Sequence, residues 1–176
     1  MKRWTTSILM SAALAMAVSP MLLFSAPTDD AQAAEQVRKQ IVKTPFYSIF
    51  DNVQFTLNDG ELILTGEVSR PVVRNQIGKV TARVAGVDRV INSIEVQPVS
   101  FYDNRIRRAM VHQIYGNPTL ARLTAQRIPP IHIIVKNGHV TLEGVVLNEG
   151  LKRLAFLKAS GVNGVFSVTN NLRTEI

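Results

Sequence analysis

The sequence predicts an α+β fold made of two tandem αββαβ units, each a small mixed three-stranded sheet with two helices on one face. Two repeated stretches carry this prediction. LNDGELILTGEV at residues 57–68 returns as VKNGHVTLEGVV at residues 135–146. VAGVDRVINSIEV at residues 84–96 returns as ASGVNGVFSVTNNL at residues 159–172. The same motifs in the same order, twice in one chain, indicate a duplicated supersecondary unit.

The first segment, residues 1–33, has the pattern of a secretory signal peptide. A basic start, MKRW, precedes an uncharged apolar stretch, and Ala31-Gln32-Ala33 fits the small-x-small cleavage pattern. We therefore expect export to the periplasm through a cleaved signal peptide. An uncleaved anchor is the alternative, because the segment from Trp4 to Thr28 is long enough to span a bilayer.

The first unit is assigned to residues 34–98. Its elements are predicted as a helix at 34–44, a hairpin at 53–68, a helix at 69–86 and a strand at 88–97. Val37 and Ile41 are spaced i,i+4, as on the buried face of a helix. Asp59-Gly60 is a strong two-residue hairpin signal. Ser69 is the predicted N-cap of the second helix, which has a proline in its first turn.

The second unit is assigned to residues 99–176. Its elements are predicted as a helix at 104–116, a further helical turn within 117–130, a hairpin at 131–146, a helix at 148–160 and a strand at 164–174. Ile106, Met110 and Ile114 share one face of its first helix. Asn148 is the predicted cap of the later helix.

Two details of the hairpins lead to structural expectations. Gly66 and Gly144 lie on the core-facing rows, which predicts a bulge or the close approach of a helix. Ile63, Ile134 and Val145 point to the nominally wet faces of the sheets. Apolar side chains on those faces fit either docking between the two units or contact with a partner.

The residues needed for catalysis or metal binding do not form recognisable motifs. The chain has no cysteine, and its three histidines, His112, His132 and His139, are far apart in sequence. No pair of them has ligand spacing with a neighbouring carboxylate, so each is interpreted as a partly exposed surface histidine. No nucleophile elbow or phosphate-binding loop is present either. We predict a protein that is not an enzyme and uses no cofactor and no metal.

The charge indicates the class of partner. The formal net charge is +7. A basic exported protein meets anionic lipid head groups, polysaccharides and envelope proteins, and we expect no nucleic acid among its partners. Net charge by itself argues only about non-specific attraction and association rates.

The two hairpins at 59–68 and 137–146, with the Gly-Val-x-x-Val stretches at 86–90 and 161–165, resemble the BON domain. This is a family of bacterial modules that includes an osmotically inducible periplasmic protein. The resemblance implies an αββαβ fold, an envelope location and a non-enzymatic role in phospholipid binding or in envelope integrity under osmotic stress. The chain departs from membrane-tethered relatives with two such domains, because it has no lipoprotein cysteine.

The candidate binding residues lie on the two helices of the second unit. Arg105 and Arg108 are placed on one side of the first helix and Arg107 on the other side of its apolar stripe. Lys152 and Arg153 lie on the second helix. Arginines that flank an apolar face can keep their stems on oily surface and their head groups at phosphate.

Three interpretations of these features stay open. The first is peripheral association with anionic phospholipid through the residues just named. The second is a protein–protein adaptor whose exposed sheet edges pair with a partner strand. The third is that the basic residues form the solvated outer faces of core-packing helices.

Overall fold

The structure, a computed structural model, describes residues 29–175. They fold as two consecutive units with the same order of elements, as the repeat predicts. The first unit contains α1 (Asp29–Lys43), β1 (Asn52–Asn58), β2 (Glu61–Val68), α2 (Pro71–Thr81), β3 (Arg89–Asn92) and β4 (Glu95–Val96). The second contains α3 (Phe101–Tyr115), α4 (Pro118–Ala121), a 3-10 turn (Arg122–Ala125), β5 (Ile131–Lys136), β6 (His139–Val146), α5 (Glu149–Ser160), β7 (Ser167–Asn170) and β8 (Arg173–Thr174).

Each unit is built on a mixed sheet with the second strand of its hairpin in the centre. β2 pairs antiparallel with β1 and parallel with β3 and β4. β6 has the same relation to β5, β7 and β8. Both hairpins turn at the predicted dipeptides, where Asp59 and Asn137 adopt positive φ of 47° and 52°. The α+β fold of two tandem units is therefore confirmed.

The third strand of each unit is split into two short strands rather than continuous. Asn92 and Asn170 cause the interruption, because each side-chain oxygen accepts a hydrogen bond from the amide two residues later, at 3.2 and 3.3 Å. Their amide groups donate to the carbonyls of Arg74 and Lys152 on the neighbouring helix, both at 3.1 Å. The two asparagines thus bend the strand and hold it to its helix.

Gly66 and Gly144 are required by close contact with backbone at the start of the hairpin and not by contact with a helix. Gly66 and Gly144 have φ of +103° and +121°. A Cβ atom on Gly66 would clash with the carbonyl oxygen of Asn52, and one on Gly144 would clash with that of Pro130. The Asn52 carbonyl lies at the beginning of β1, and the Pro130 carbonyl lies directly before β5. The expected approach of a helix is therefore wrong, and the pairing around Gly66 contains no inserted residue, so no bulge forms there.

The helix starts also differ from prediction in places. α1 begins at Asp29 rather than at residue 34, and Ala33 is only 3% exposed in the first core. Residues 1–28 of the predicted signal peptide lie outside the described residues. Ser69 does not cap α2, whose N-cap position is Arg70. Asn148 caps α5 as predicted, accepting from the amide of Leu151 at 3.0 Å.

Each unit has its own hydrophobic core, and one segment of the first unit joins the core of the second. Ile49 and Phe50 precede β1 but pack against the second core. Their neighbour Asp51 is fully buried and accepts hydrogen bonds from the amides and hydroxyls of Ser48 and Ser69. The segment 48–51 is therefore a fixed connection between the units. Within residues 29–175, no helix is both long and apolar enough to span a bilayer.

Candidate functional site

The outer faces of the two sheets meet at a junction between the units. Ile134, on the nominally wet face of β5, is only 6% exposed. It faces a groove of about 190 Å³ that is lined by Gln54 and Thr65 of the first unit and by Thr141 of the second. Lys136 crosses the junction, with its Nζ 3.0 Å from Glu67 and 3.3 Å from Glu95. Docking between the units thus explains the buried apolar side chain.

The free edge of β5 is closed by groups of this same chain. The Tyr115 hydroxyl donates to the carbonyl of Ile131 at 2.6 Å, and the amide of Ile133 donates to the carbonyl of Ile49 at 2.7 Å. Asp103, at the start of α3, accepts from both turn amides, those of Asn137 and Gly138. Because these groups are already bound, a partner strand cannot add at this edge without displacing them.

Arg107 belongs to this internal network rather than to an exposed basic face, and its contact with lipid stays a prediction. Its side chain is 7% exposed. The guanidinium donates to Asn104 at 2.7 Å, to Gln97 at 2.6 Å and to the carbonyl of Val135 at 2.8 Å. Burial lowers its pKa, against the fields of Asp103 and Asp51, which raise it. Since α3 lies along the open edge of β5, position 107 faces that edge and not solvent.

Arg105 and Arg108 lie on the exposed face of α3. Both are exposed, and the Arg105 guanidinium lies 5.8 Å from the centre of the Tyr102 ring. Phe101 and Tyr102 are 75% and 62% exposed at the beginning of the same helix. The helix therefore presents basic and aromatic side chains together.

Lys152 and Arg153 differ although they are adjacent. Lys152 is partly buried and lies 3.7 Å from Glu149 of its own helix. Arg153 is exposed on the outer face of α5, along with Phe156 and Leu157, which are 36% and 61% exposed. The basic face of α5 therefore depends on Arg153.

The BON domain model matches residues 29–98 and 119–175, which is well over half of the chain. The chain belongs to the BON domain family. The first matched region covers the whole first unit, and the second covers the second unit from residue 119 onward, without α3. The protein therefore carries two tandem BON units. The family is one of phospholipid-binding, envelope-associated domains, and it is generally non-enzymatic.

Comparison with solved structures adds distant likenesses. Two structures of CdsD, a structural protein of the type III secretion system of Chlamydia trachomatis, are similar to this chain at 14% identity and a TM-score of 0.30. The first, its C-terminal domain, is matched over 85% of this chain and 100% of that chain. The second is matched over 82% of this chain and 92% of that chain. No curated protein matches the chain.

The histidines of the BON units do not come together. His112 is exposed on α3 and His139 is exposed beside the second hairpin turn. His132 instead lies at the junction, where its Nδ1 donates to the carbonyl of Asp51 and its ring lies 6.1 Å from that of Tyr47. In the described part of the chain, no three histidine, aspartate or glutamate side chains are placed to hold a metal ion.

Sequence reasoning missed two features of the BON units. It did not place Phe101 on the exposed helical face, because the predicted helix began three residues later. It also did not bring Arg70 of the first unit next to the second unit. Arg70 and Arg108 line the same groove at the junction, and only docking of the units creates it.

Proposed function

We propose that the protein is an exported, non-enzymatic envelope protein that associates peripherally with anionic phospholipid and supports the envelope under osmotic stress. The observation that carries this proposal is an exposed surface of the second BON unit, here called the outer helix face. Its residues are Phe101, Tyr102, Arg105, Arg108, Arg153, Phe156 and Leu157.

The outer helix face includes apolar side chains from both α3 and α5. Phe101, Tyr102 and Leu157 all expose more than half of their surface. Contiguous exposed apolar residues mark interaction surfaces, and aromatic rings favour the interfacial layer of a bilayer. The face therefore offers groups that can enter the head-group region.

The charged part of the face supplies the attraction. Arg105, Arg108 and Arg153 take part in no ion pair within residues 29–175. A basic side chain near an anionic surface contributes about 1 kcal/mol. Arginine stems can also cover apolar surface while their head groups reach phosphate. Together these terms support weak, reversible and salt-sensitive attachment.

Vesicle flotation of residues 29–176 tests the proposal. We expect binding to vesicles that contain phosphatidylglycerol, little binding to pure phosphatidylcholine, and loss of binding as salt is raised. Changing Arg105 and Arg153 together to Glu should weaken binding by about tenfold or more, the equivalent of about 1.4 kcal/mol. Phe101→Ser with Tyr102→Ser should weaken it even at low salt.

The matched control changes Arg74 and Arg83 to Glu. These exposed arginines of the first unit give the same change in net charge away from the outer helix face. Equal loss of binding in this control would assign the attraction to net charge alone. Equal, negligible flotation of neutral and anionic vesicles with the unaltered protein would contradict the proposal.

A second candidate function is a protein–protein adaptor, and the edge of β1 favours it. A groove of about 620 Å³ is lined by α1 and β1, with Arg38 and Phe55 among its residues, and also by Glu143 and Arg173 of the second unit. Burial raises the pKa of Tyr47 to about 12, and its hydrogen bond at the Val53 backbone partly offsets this rise. Tyr47 thus occupies β1 at Val53 as Tyr115 occupies β5 at Ile131, so a partner strand would pair with β1 beyond Val53, along Phe55.

Crosslinking in cells followed by affinity capture separates the two functions. One dominant envelope protein, bound in a salt-insensitive way and lost on Phe55→Asp, would favour the adaptor. Recovery of the protein with anionic membranes only, released by salt, would favour lipid attachment.

A further inference from the structure

A groove at the junction, here called the junction groove, is made by both BON units together. Its lining residues are Phe50, Ser69, Arg70, Pro98, Val99, Asn104, Arg107 and Arg108. Its volume is about 310 Å³. Small-molecule sites run from about 300 to 1,000 Å³, so the junction groove has room for a small ligand or a head group.

Three arginines line the junction groove, and the guanidinium of one of them, Arg70, lies 5.7 Å from the centre of the Phe46 ring. Arg70 comes from the turn before α2, whereas Arg107 and Arg108 come from α3 of the second unit. Within residues 29–175 none of the three takes part in an ion pair. Like charges held close together repel one another unless an opposite charge joins them.

Arg107 is the fixed member of this group. It is buried, and its three hydrogen-bond acceptors, on Gln97, Asn104 and Val135, are all neutral. Its Nε atom is buried and has no hydrogen-bond partner among the described residues. Buried unpartnered polar atoms are rare in native proteins, and an ion or water site nearby is one of the reasons for them.

The two carboxylates that act on Arg107, those of Asp51 and Asp103, are hydrogen-bonded to other groups. Asp51 accepts four hydrogen bonds from Ser48 and Ser69, and Asp103 holds the two amides of the β5–β6 turn. Both act on Arg107 through their fields, but neither forms an ion pair with it. Among residues 29–175, the arginines of the junction groove therefore have no direct anionic partner.

We propose that the junction groove binds a phosphate group, either free in solution as a phosphate ester or carried by a lipid head group. A tetrahedral phosphate offers several acceptor oxygens to guanidinium groups from different directions, and arginine is the preferred residue for such recognition. The side chains of Phe50, Pro98 and Val99 give the groove an apolar wall for the carbon part of an ester. The head-group source rests on the proposed membrane function, but the free source does not.

Calorimetric titration of residues 29–176 with inorganic phosphate, glycerol phosphate and acetate tests the site. We expect saturable one-to-one binding of the phosphates and much weaker binding of acetate. Arg70→Gln with Arg108→Gln should weaken phosphate binding by about tenfold or more, a loss of charge-assisted hydrogen bonds. Both residues are exposed, so the change leaves the packed Arg107 network intact.

Two matched variants separate this site from general charge and from the outer helix face. Arg74→Gln with Arg83→Gln removes the same charge from the first unit and should bind phosphate normally. Arg105→Glu with Arg153→Glu weakens the proposed membrane contact and should also leave phosphate binding unchanged. If this second variant binds phosphate normally, the phosphate site is supported even when vesicle flotation shows no membrane binding.

The vesicle arm identifies a lipid source. If the soluble phosphates do not bind, but Arg70→Gln alone lowers binding to phosphatidylglycerol vesicles more than Arg74→Gln alone does, the ligand is a head group, because Arg108 of the outer helix face is unchanged in both variants. Three results would overturn the proposal. These are acetate binding as tight as phosphate binding, equal effects of the groove and control variants, or no binding in either arm.

Discussion

The guanidinium of Arg107 donates to the carbonyl oxygen of Val135 at 2.8 Å and so fastens α3 to the outer edge of β5. This contact places a charged side chain inside the protein, between an edge strand and the first unit. Removing it leaves the acceptors on Val135, Gln97 and Asn104 without their donor.

Arg107→Ala should therefore destabilise the protein by roughly 3 kcal/mol, because buried acceptors lose hydrogen bonds to a charged group. Urea unfolding of both proteins, followed by circular dichroism, measures the change. Arg105→Ala removes an exposed arginine of the same helix and should cost less than about 0.5 kcal/mol. Equal costs for the two variants would mean that the Arg107 network does not stabilise the fold.

Gly144→Ala should destabilise the second unit by roughly 3 kcal/mol, because a side chain there meets the Pro130 carbonyl and the backbone φ is positive. Gly161→Ala is the matched control, since its φ is −84° and an added Cβ would lie 3.8 Å or more from its neighbours. Thermal unfolding of the two variants gives the comparison. A Gly144 variant as stable as the Gly161 variant would show that the hairpin accommodates a bulge there.

Acidification should weaken the junction through His132. Burial lowers its pKa below the ordinary value of 6.5, against its hydrogen bond to the Asp51 carbonyl and the fields of Asp51 and Glu143, which raise it. The native state therefore favours the neutral ring, and the unfolded state binds more protons at low pH. Its stabilising contribution is present above pH 6.5 and is lost as the pH falls below that value.

The unfolding free energy of His132→Asn should fall less steeply between neutral and mildly acidic pH than that of the unaltered protein. Asparagine can still donate to Asp51 but does not titrate. His112→Asn, at an exposed histidine, should keep the original slope. An unchanged slope in the His132 variant would remove this residue as the source of the pH dependence.

The first residues of α1, 29–33, should affect stability. Ala33 is buried in the first core, and Asp30 accepts a hydrogen bond from the amide of Asp59 in the first hairpin turn at 3.3 Å. A chain that begins at residue 34 should therefore unfold about 1–2 kcal/mol more easily than one that begins at residue 29. Denaturant unfolding of both chains measures the difference.

Mass spectrometry of the protein recovered from a periplasmic fraction tests the predicted export directly. A start at residue 34 would agree with cleavage after Ala33, and a cytosolic chain with residues 1–33 attached would contradict export. The stability difference and the cleavage position are independent measurements.

Local patterns predicted the order of the elements but not all of their bounds, and not the contacts between them. The Asp59-Gly60 and Asn137-Gly138 turns fix both hairpins, because few other residues adopt positive φ at low cost. Asn148 caps its helix through a bond within four residues. The split of the third strand was missed, because Asn92 and Asn170 act through side-chain bonds that alternation of apolar residues does not reveal.

The site was predicted only in part, for reasons of tertiary packing. In the sequence, Arg105 and Arg107 are both basic residues that flank the apolar stripe of the same helix. Arg105 is exposed and Arg107 is buried because only Arg107 faces the edge of β5, which lies about thirty residues away in sequence. Arg70 had no sequence feature that placed it beside Arg108, because the junction groove depends on how two separately folded sheets dock.

The placement of Ile49 and Phe50 has a consequence for the order of folding. These side chains are encoded before the first sheet, yet they complete the hydrophobic interior of the second. During synthesis from the N-terminus, Ile49 and Phe50 are therefore already present when the second sheet forms. The later half, expressed alone, would have to form with an uncovered interior, so it should depend on the earlier half as an intramolecular chaperone.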